Sequence, residues 1–460
     1  MSNLTWLPDL IYLKGRFQSD CAVVCDEDGN VERIVDADQI ENPVTLKRRA
    51  LLPGLINTHS HAFQRVIRGR TERRSPNTTD SFWTWREQMY AAANRLTPEQ
   101  IYAASRMAFL EMALTGITAV GEFHYIHHSP DGSQYEDPNL LAREVIRAAR
   151  DVGIRIALLR VAYARAGFET ESNPLQVRFI EASPDLYLKH LEQLFAAPEL
   201  DHKTAWAGIA PHSVRAVPLD YLKPIVAFAN ERNLPVHMHV AEQPAEVSAC
   251  IQEYGRSPVA LLETEGLLSN RLTAVHAIHV TPKAIGAMAR TGTLVCACPT
   301  TERNLGDGVV PVDAYFDAGV PVSLGSDSQV QIDLLEDARE LEYHLRLQQT
   351  ARNVLAPQDD AGSSALARRL FDCATTNGAR SIGFNGGKIE PAAPADFFTV
   401  DLDDPSIAGS SREDLLANIV FSLSRTAVRD VIAGGQRIIE NGRHAQQERI
   451  IAAYTDATDQ

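Results

Sequence analysis

Short apolar runs recur through the middle of the chain, each ending in polar residues and each separated from the next by an amphipathic stretch. One run ends near His61, and the others cover residues 117–125, 155–163, 205–213, 234–242, 273–280, 293–299 and 320–327. Their length and β-branched content predict eight buried strands, and stretches such as 98–116 predict helices between them. Eight strands with helical crossovers predict an α/β fold, a (β/α)₈ TIM barrel whose chemistry would sit at the carboxyl ends of the strands. A doubly wound sheet is the alternative, although no glycine-rich phosphate loop accompanies it. Outside the barrel pattern, runs at 11–14 and 21–35, with a DEDGN turn, predict hairpins of a small sheet. Runs at 396–402 and 427–442, with Gly434 and Gly435 at a turn, have the same character. The expected division is a small β-sandwich domain from residues 1–50 and 388–460 around a barrel at 51–387.

Composition narrows the partners. With 45% hydrophobic and 22% charged residues the chain reads as a soluble globular protein. No apolar run reaches the roughly 18 residues of a membrane span. The start, MSNLTWLPDLIYLKG, lacks a basic leader and a small-residue cleavage site. Six cysteines without CxxC spacing predict reduced thiols, so a cytoplasmic protein is expected. A net charge of −15 argues against nucleic acid or an anionic membrane as partner. A small anionic substrate stays open, because a local arginine cluster can override the global field. Only seven lysines are present, so nearly all positive charge is arginine, whose fork grips carboxylates.

The polar strand ends supply candidate chemistry. In an extended strand His59 and His61 face the same way, with Cα atoms roughly 6.5–7 Å apart, close enough to share one cation. The other titratable residues at predicted strand ends are Glu122, His124, His212, His239, Glu242, His276 and Asp327. Three imidazoles and one carboxylate make an ordinary zinc or ferrous shell with room for solvent. His239 and Glu242 read H-V-A-E where a strand gives way to a loop, so the glutamate can hang beside a metal as a proton shuttle. Asp327, in LGSDS after the last strand, would close the ring beside strand one. Plainer readings compete. His237 shares a face with His239 and fills the barrel core; His276 competes with His279; His124, His127 and His128 read equally well as surface groups. Arg65, Arg68, Arg70, Arg73 and Arg74 read as a solvated loop, and Cys296 and Cys298 as buried thiols. Arg86 differs, because Phe82, Trp83 and Trp85 surround it in sequence.

The motifs LLPGLINTHSHAFQR, HMHVAE, AVHAIH and LGSDS resemble the amidohydrolase superfamily, in its one-metal deaminase branch, over roughly residues 48–400. HSHAFQR, DSFWTWREQMY, TAVGEFHYIHH, APHSVRAV, CPTTERNLGDG and SLGSDS narrow the resemblance to the formimidoylglutamate deiminase family, which hydrolyses N-formimino-L-glutamate to N-formyl-L-glutamate and ammonia in histidine degradation. One departure is Gln329 in SDSQV, where that family pattern has histidine. The resemblance implies a homodimer and one divalent metal per chain, zinc ahead of ferrous iron, held by His59, His61, His239 and Asp327. Dinuclear members carry a bridging carboxylated lysine at the end of strand four, and AWAGIAPHSVR contains none. The resemblance also selects His276 over His279, and makes Glu242, His276 and Asp327 catalytic. A metal lowers the pKa of its water to about 7, supplying hydroxide for the formimino carbon. Glu242 would protonate the departing ammonia. Gln64, Arg86, Tyr125, His212 and Arg215 would bind the two substrate carboxylates. The rival readings are a purine- or pyrimidine-type aminohydrolase and a non-catalytic barrel; the second sits badly with a filled set of metal positions.

Overall fold

The computed structural model describes residues 4–74, 79–170, 173–358, 360 and 362–458. Eight parallel strands form the central sheet in sequence order: Leu55–Ser60, Ile117–His124, Arg155–Ala162, Ala205–Pro211, Val236–Val240, Leu272–His276, Leu294–Ala297 and Val322–Leu324. Every residue of all eight is buried, which is why their sequences run apolar instead of alternating. The sheet closes through a parallel bridge between Ser60 and Asp327. Two main-chain bonds fix that seam: Asp327 N–H donates to His59 O at 3.0 Å, and His61 N–H donates to Asp327 O at 3.1 Å. The first and last strands therefore meet at their carboxyl ends, on residues that sequence analysis marked for chemistry.

Helices cover the outside. Pro98–Leu114 begins in a reciprocal cap, with Gln100 N–H donating to Thr97 Oγ1 (3.2 Å) and Thr97 N–H to Gln100 Oε1 (3.0 Å). Proline at its first position costs no hydrogen bond there. Gly54, at the entry to the first barrel strand, has no room for a side chain, since a Cβ would lie 2.2 Å from Thr118 Oγ1.

A second sheet gathers both chain ends. Its nine strands are Thr5–Leu13, Arg16–Gln18, Cys21–Cys25, Val31–Asp36, Val44–Pro53, Phe397–Asp401, Val428–Ala433, Gln436–Glu440 and Arg443–His444. Val44–Pro53 pairs in parallel with Thr5–Leu13 and antiparallel with Phe397–Asp401. Trp6, Ile11, Val23, Leu51, Phe397 and Ile432 form a separate apolar core on it. A buried bidentate pair joins it to the barrel: Arg155 Nε and Nη2 reach Asp396 at 2.8 and 3.1 Å, and Gly434 N–H donates to the same carboxylate at 2.7 Å. Among the described residues no helix is long and apolar enough to cross a membrane. All six cysteines are free, and Cys296 and Cys298 are fully buried with Sγ atoms 4.0 Å apart.

Candidate active site

The strand ends bring His59, His61, His239 and Asp327 together, one donor atom from each lying within 4.8 Å of all the others. His59 Nε2 is 3.1 Å from His61 Nε2 and 3.2 Å from His239 Nε2. Asp327 Oδ1 is 3.2 Å from His61 Nε2 and 3.5 Å from His59 Nε2. His61 Nδ1 faces Phe123 O at 3.0 Å and His239 Nδ1 faces His212 O at 3.1 Å. Each carbonyl requires an Nδ1–H, which leaves the Nε2 lone pairs converging on one point. Burial holds His239 well below the ordinary histidine pKa and pushes His59 down to about 3, so neither ring takes a second proton. Neutral lone pairs this close repel unless something positive lies between them. Donors bonded to one tetrahedral ion at about 2.0–2.1 Å would sit roughly 3.3 Å apart, close to the separations here. The residues fit a divalent cation.

Glu242 and His276 flank this cluster. His276 Nε2 lies 3.6 Å from Glu242 Oε1 and 3.7 Å from Asp327 Oδ2. Burial pushes the Glu242 carboxyl up to about 7. Burial would lower His276, but Glu242, Glu302 and Asp327 outweigh it and raise the imidazole well above its ordinary value. Backbone strain gathers here too. Ala241, His276, Ala277, Asp327 and Gln329 all have left-handed φ values between 44° and 66°. Such conformations cost about 1–3 kcal/mol each and persist where packing over-determines them.

A cleft with about 440 Å³ of atom-free space opens onto the cluster. Gln64, Arg86, Tyr125, His212 and Arg215 line it together with His61, His239, Glu242, His276 and Asp327. His59 is fully buried and does not line it. Arg86 stacks over Trp83 with its guanidinium 4.4 Å from the ring centroid, while its Nε and Nη1 are buried without a hydrogen-bond partner. Burial lowers the Arg86 pKa, and the nearby Arg215 charge adds to the effect. Burial would do the same to Arg215, but Tyr163, Tyr90 and Glu246 keep it raised. Gln64 Nε2 donates to Tyr125 Oη at 3.0 Å, and Gln64 Oε1 is buried without a partner.

Sequence reasoning missed Tyr90, Met89 and Leu305 on the cleft wall, and Glu302, which accepts from the His276 ring. The first three sit at ordinary helical apolar positions and carry no local signal. His124, His127 and His128 are not surface groups: all three are buried, with His127 Nε2 bonded to Val161 O at 2.8 Å and His128 Nε2 to Ile180 O at 2.9 Å. His237 is a core residue, its Nε2 3.0 Å from Ser381 O. His279 turns instead to Asp307 O at 2.8 Å. Arg65 and Arg68 are not a free solvated run, since both pair with Glu111, at 2.8 and 2.7 Å. Gln329 is buried outside the cleft, donating to Ser60 Oγ at 2.8 Å. Lys203 lies before its strand and forms an exposed pair with Asp28 at 2.7 Å, so no lysine stands where a bridging one would.

The chain is similar to known proteins along most of its length. A formimidoylglutamate deiminase of Pseudomonas aeruginosa is 40% identical over 406 residues, covering 88% of each chain. A 5-methylthioadenosine/S-adenosylhomocysteine deaminase of Natronomonas pharaonis is 28% identical over 429 residues, covering 90% of this chain and 87% of its own. The crystal structure of an amidohydrolase from Brucella melitensis superposes with a TM-score of 0.91 at 33% identity, covering 100% of this chain and 99% of the other. Residues 50–438 match the model of the amidohydrolase family, which takes in both the barrel and its seam with the second sheet; the chain belongs to the amidohydrolase family.

Proposed function

We propose that this chain is a cytoplasmic, metal-dependent hydrolase that converts N-formimino-L-glutamate and water to N-formyl-L-glutamate and ammonia. The observation that carries the reading is the guanidinium of Arg86. It is half-buried, with Nε and Nη1 sealed from water and without an acceptor, in the cleft that Arg215, His61 and His239 also line. A buried charge without a partner is costly, and natural structures keep one where a ligand completes it. Two guanidiniums suit a substrate with two carboxylates, each able to form a parallel pair of charge-assisted bonds. The relative from Pseudomonas aeruginosa, named for this reaction, supports the same assignment.

His59, His61, His239 and Asp327 would hold one divalent metal, zinc or ferrous iron. Bound there, it would supply a Lewis acid that brings a coordinated water near neutral pKa. The chain's own groups do the rest. Glu242, with a carboxyl near 7, can take a proton and deliver it to the nitrogen that must leave as ammonia. His276 Nε2 and Asp327 Oδ2 stand 3.7 Å apart beside Glu242 and can orient the attacking water and take up its proton. Gln64, Tyr125 and His212 would fix the formimino end and the nearer carboxylate by hydrogen bonds. In this reading residues 51–387 carry the chemistry, and residues 1–50 with 388–460 form the supporting domain.

A second reading has one observation in its favour. Phe82, Trp85 and Tyr90 line the cleft and could stack on a purine ring, as the deaminase relative from Natronomonas pharaonis would require. The test is metal content together with ammonia release from N-formimino-L-glutamate and from 5-methylthioadenosine, side by side. Release from the first at catalytic rates, with none from the second, is expected. The reverse pattern would replace the proposed substrate.

A further inference from the structure

Glu302 belongs to no strand end and lines no part of the cleft, yet it touches the reacting constellation. It sits one turn into the helix Pro299–Leu305, which begins directly after the seventh barrel strand. Its Oε1 accepts from Cys298 N–H at 2.8 Å, closing the helix start, and faces His276 Nδ1 at 3.1 Å. A single oxygen thus ties the helix cap to the ring. Both partners are sealed from water, at 2% exposure for Glu302 and 0% for His276.

The backbone of His276 is held as firmly as its ring. Residues 276 and 277 both have left-handed φ, 66° and 49°, a conformation that needs external support. Tyr315 supplies it by donating its hydroxyl to Ala277 O. With the main chain pinned from one side and Nδ1 from the other, the ring has one orientation. Nε2 then points toward Glu242 and Asp327, at 3.6 and 3.7 Å. His276 Nε2 is itself buried with no hydrogen-bond partner, so it is the ring atom left to meet substrate or water.

We propose that Glu302 is a positioning residue for the hydrolytic reaction: its carboxylate accepts from His276 Nδ1 and so fixes the ring with Nε2 turned toward the reacting groups. The inference rests on the reading of His276 as a reacting group given above. It goes further by placing the control of that group on a helix start 26 residues away in sequence. Carboxylates that orient metal-ligating histidines contribute about 10–100-fold, and the same scale is expected for one that orients a reacting histidine.

The experiment uses full-length, metal-loaded protein labelled with ¹⁵N-histidine, in wild type, E302A, E302D and E302Q. E302A removes the oxygen. E302D keeps the charge but withdraws the oxygen by one methylene, and remains informative if E302A does not fold. E302Q can present its amide oxygen to both donors. The expected result is a kcat lower by about 10–100-fold in E302A and E302D, with KM and metal content unchanged, and kcat within about tenfold of wild type in E302Q. The ¹⁵N spectrum, with H276Q providing the assignment, should show the protonated Nδ1 of His276 in wild type and E302Q and its loss or shift in E302A and E302D. Unchanged His276 nitrogen signals in E302A or E302D would overturn the proposal, as would kcat within threefold of wild type. If wild type releases no ammonia from N-formimino-L-glutamate, the proposed substrate fails, and the nitrogen spectrum still decides whether Glu302 orients the ring.

Discussion

Replacing Arg86 by alanine should separate binding from stability more sharply than any other single change. In the free protein the guanidinium is largely desolvated, and Nε and Nη1 have no acceptor. Its compensations are the stack on Trp83, 4.4 Å from the centroid, and a looser contact with Tyr90 at 5.5 Å. A cation over an aromatic face contributes about 0.5–2 kcal/mol. Leaving buried donors unpaired costs about 1–3 kcal/mol. These offset, so Arg86→Ala should shift Tm by only a few degrees in either direction. The bound state differs. There the fork would hold a substrate carboxylate through two charge-assisted bonds, and removing one partner of such a buried pair costs about 2–5 kcal/mol. A central value of about 3 kcal/mol corresponds to a loss in kcat/KM of roughly 150-fold. The carboxylate is held equally before and during the reaction, so the loss should fall mainly on KM. Arg86→Lys keeps the charge but not the fork and should lie between. The assays are steady-state ammonia release from N-formimino-L-glutamate and a thermal melt on the same preparations. Arg86→Ala with kcat/KM within threefold of wild type would refute the assignment. A large drop in Tm accompanying lost activity would show that the side chain serves the fold.

Three further outcomes are expected. Glu242→Gln should retain metal and KM but lose about 10²–10⁴-fold in kcat, since glutamine cannot carry the proton; kcat within a fewfold of wild type would remove Glu242 from the mechanism. Elemental analysis should find one tightly held divalent metal per chain, lost in His239→Ala, and chelation should abolish activity until metal is restored; two tightly bound ions per chain would contradict the four-donor site. Asp396→Ala leaves Arg155 buried between barrel and second sheet without its carboxylate, keeping only its bond to Lys203 O, so a loss of about 3–5 kcal/mol in unfolding free energy is expected by denaturant titration, and a loss below 1 kcal/mol would mean that this pair is not what joins them.

The parts legible in sequence were those set by local period and order. His59 and His61 share a face because a strand alternates, and the eight apolar runs were readable because each strand is buried on both sides. Asp327 was legible because closing a barrel puts the last strand end beside the first. Other features depend on contacts that no local pattern encodes. Glu302 reads as an ordinary residue in a helical first turn, and its meeting with His276 follows from the adjacency of the sixth and seventh strands. His127 and His128 are buried against carbonyls of Val161 and Ile180, residues distant in sequence. The left-handed φ values at Ala241, His276 and Asp327 were invisible too, because none of these residues is glycine.

The bridge between Ser60 and Asp327 also sets a timetable for biosynthesis. His59 and His61 leave the ribosome early, whereas the fourth donor, Asp327, follows the last barrel strand. At about 5–20 residues per second, roughly 15–50 seconds separate them. A nascent chain therefore carries an exposed pair of imidazoles long before it can offer a complete cage, and a captured ion could be exchanged or scavenged throughout that interval. The N-terminal strands wait longer still, because Val44–Pro53 finds its antiparallel neighbour only when Phe397–Asp401 has been made. The cage that could discriminate between ions is thus complete only near the end of synthesis, when the seam closes.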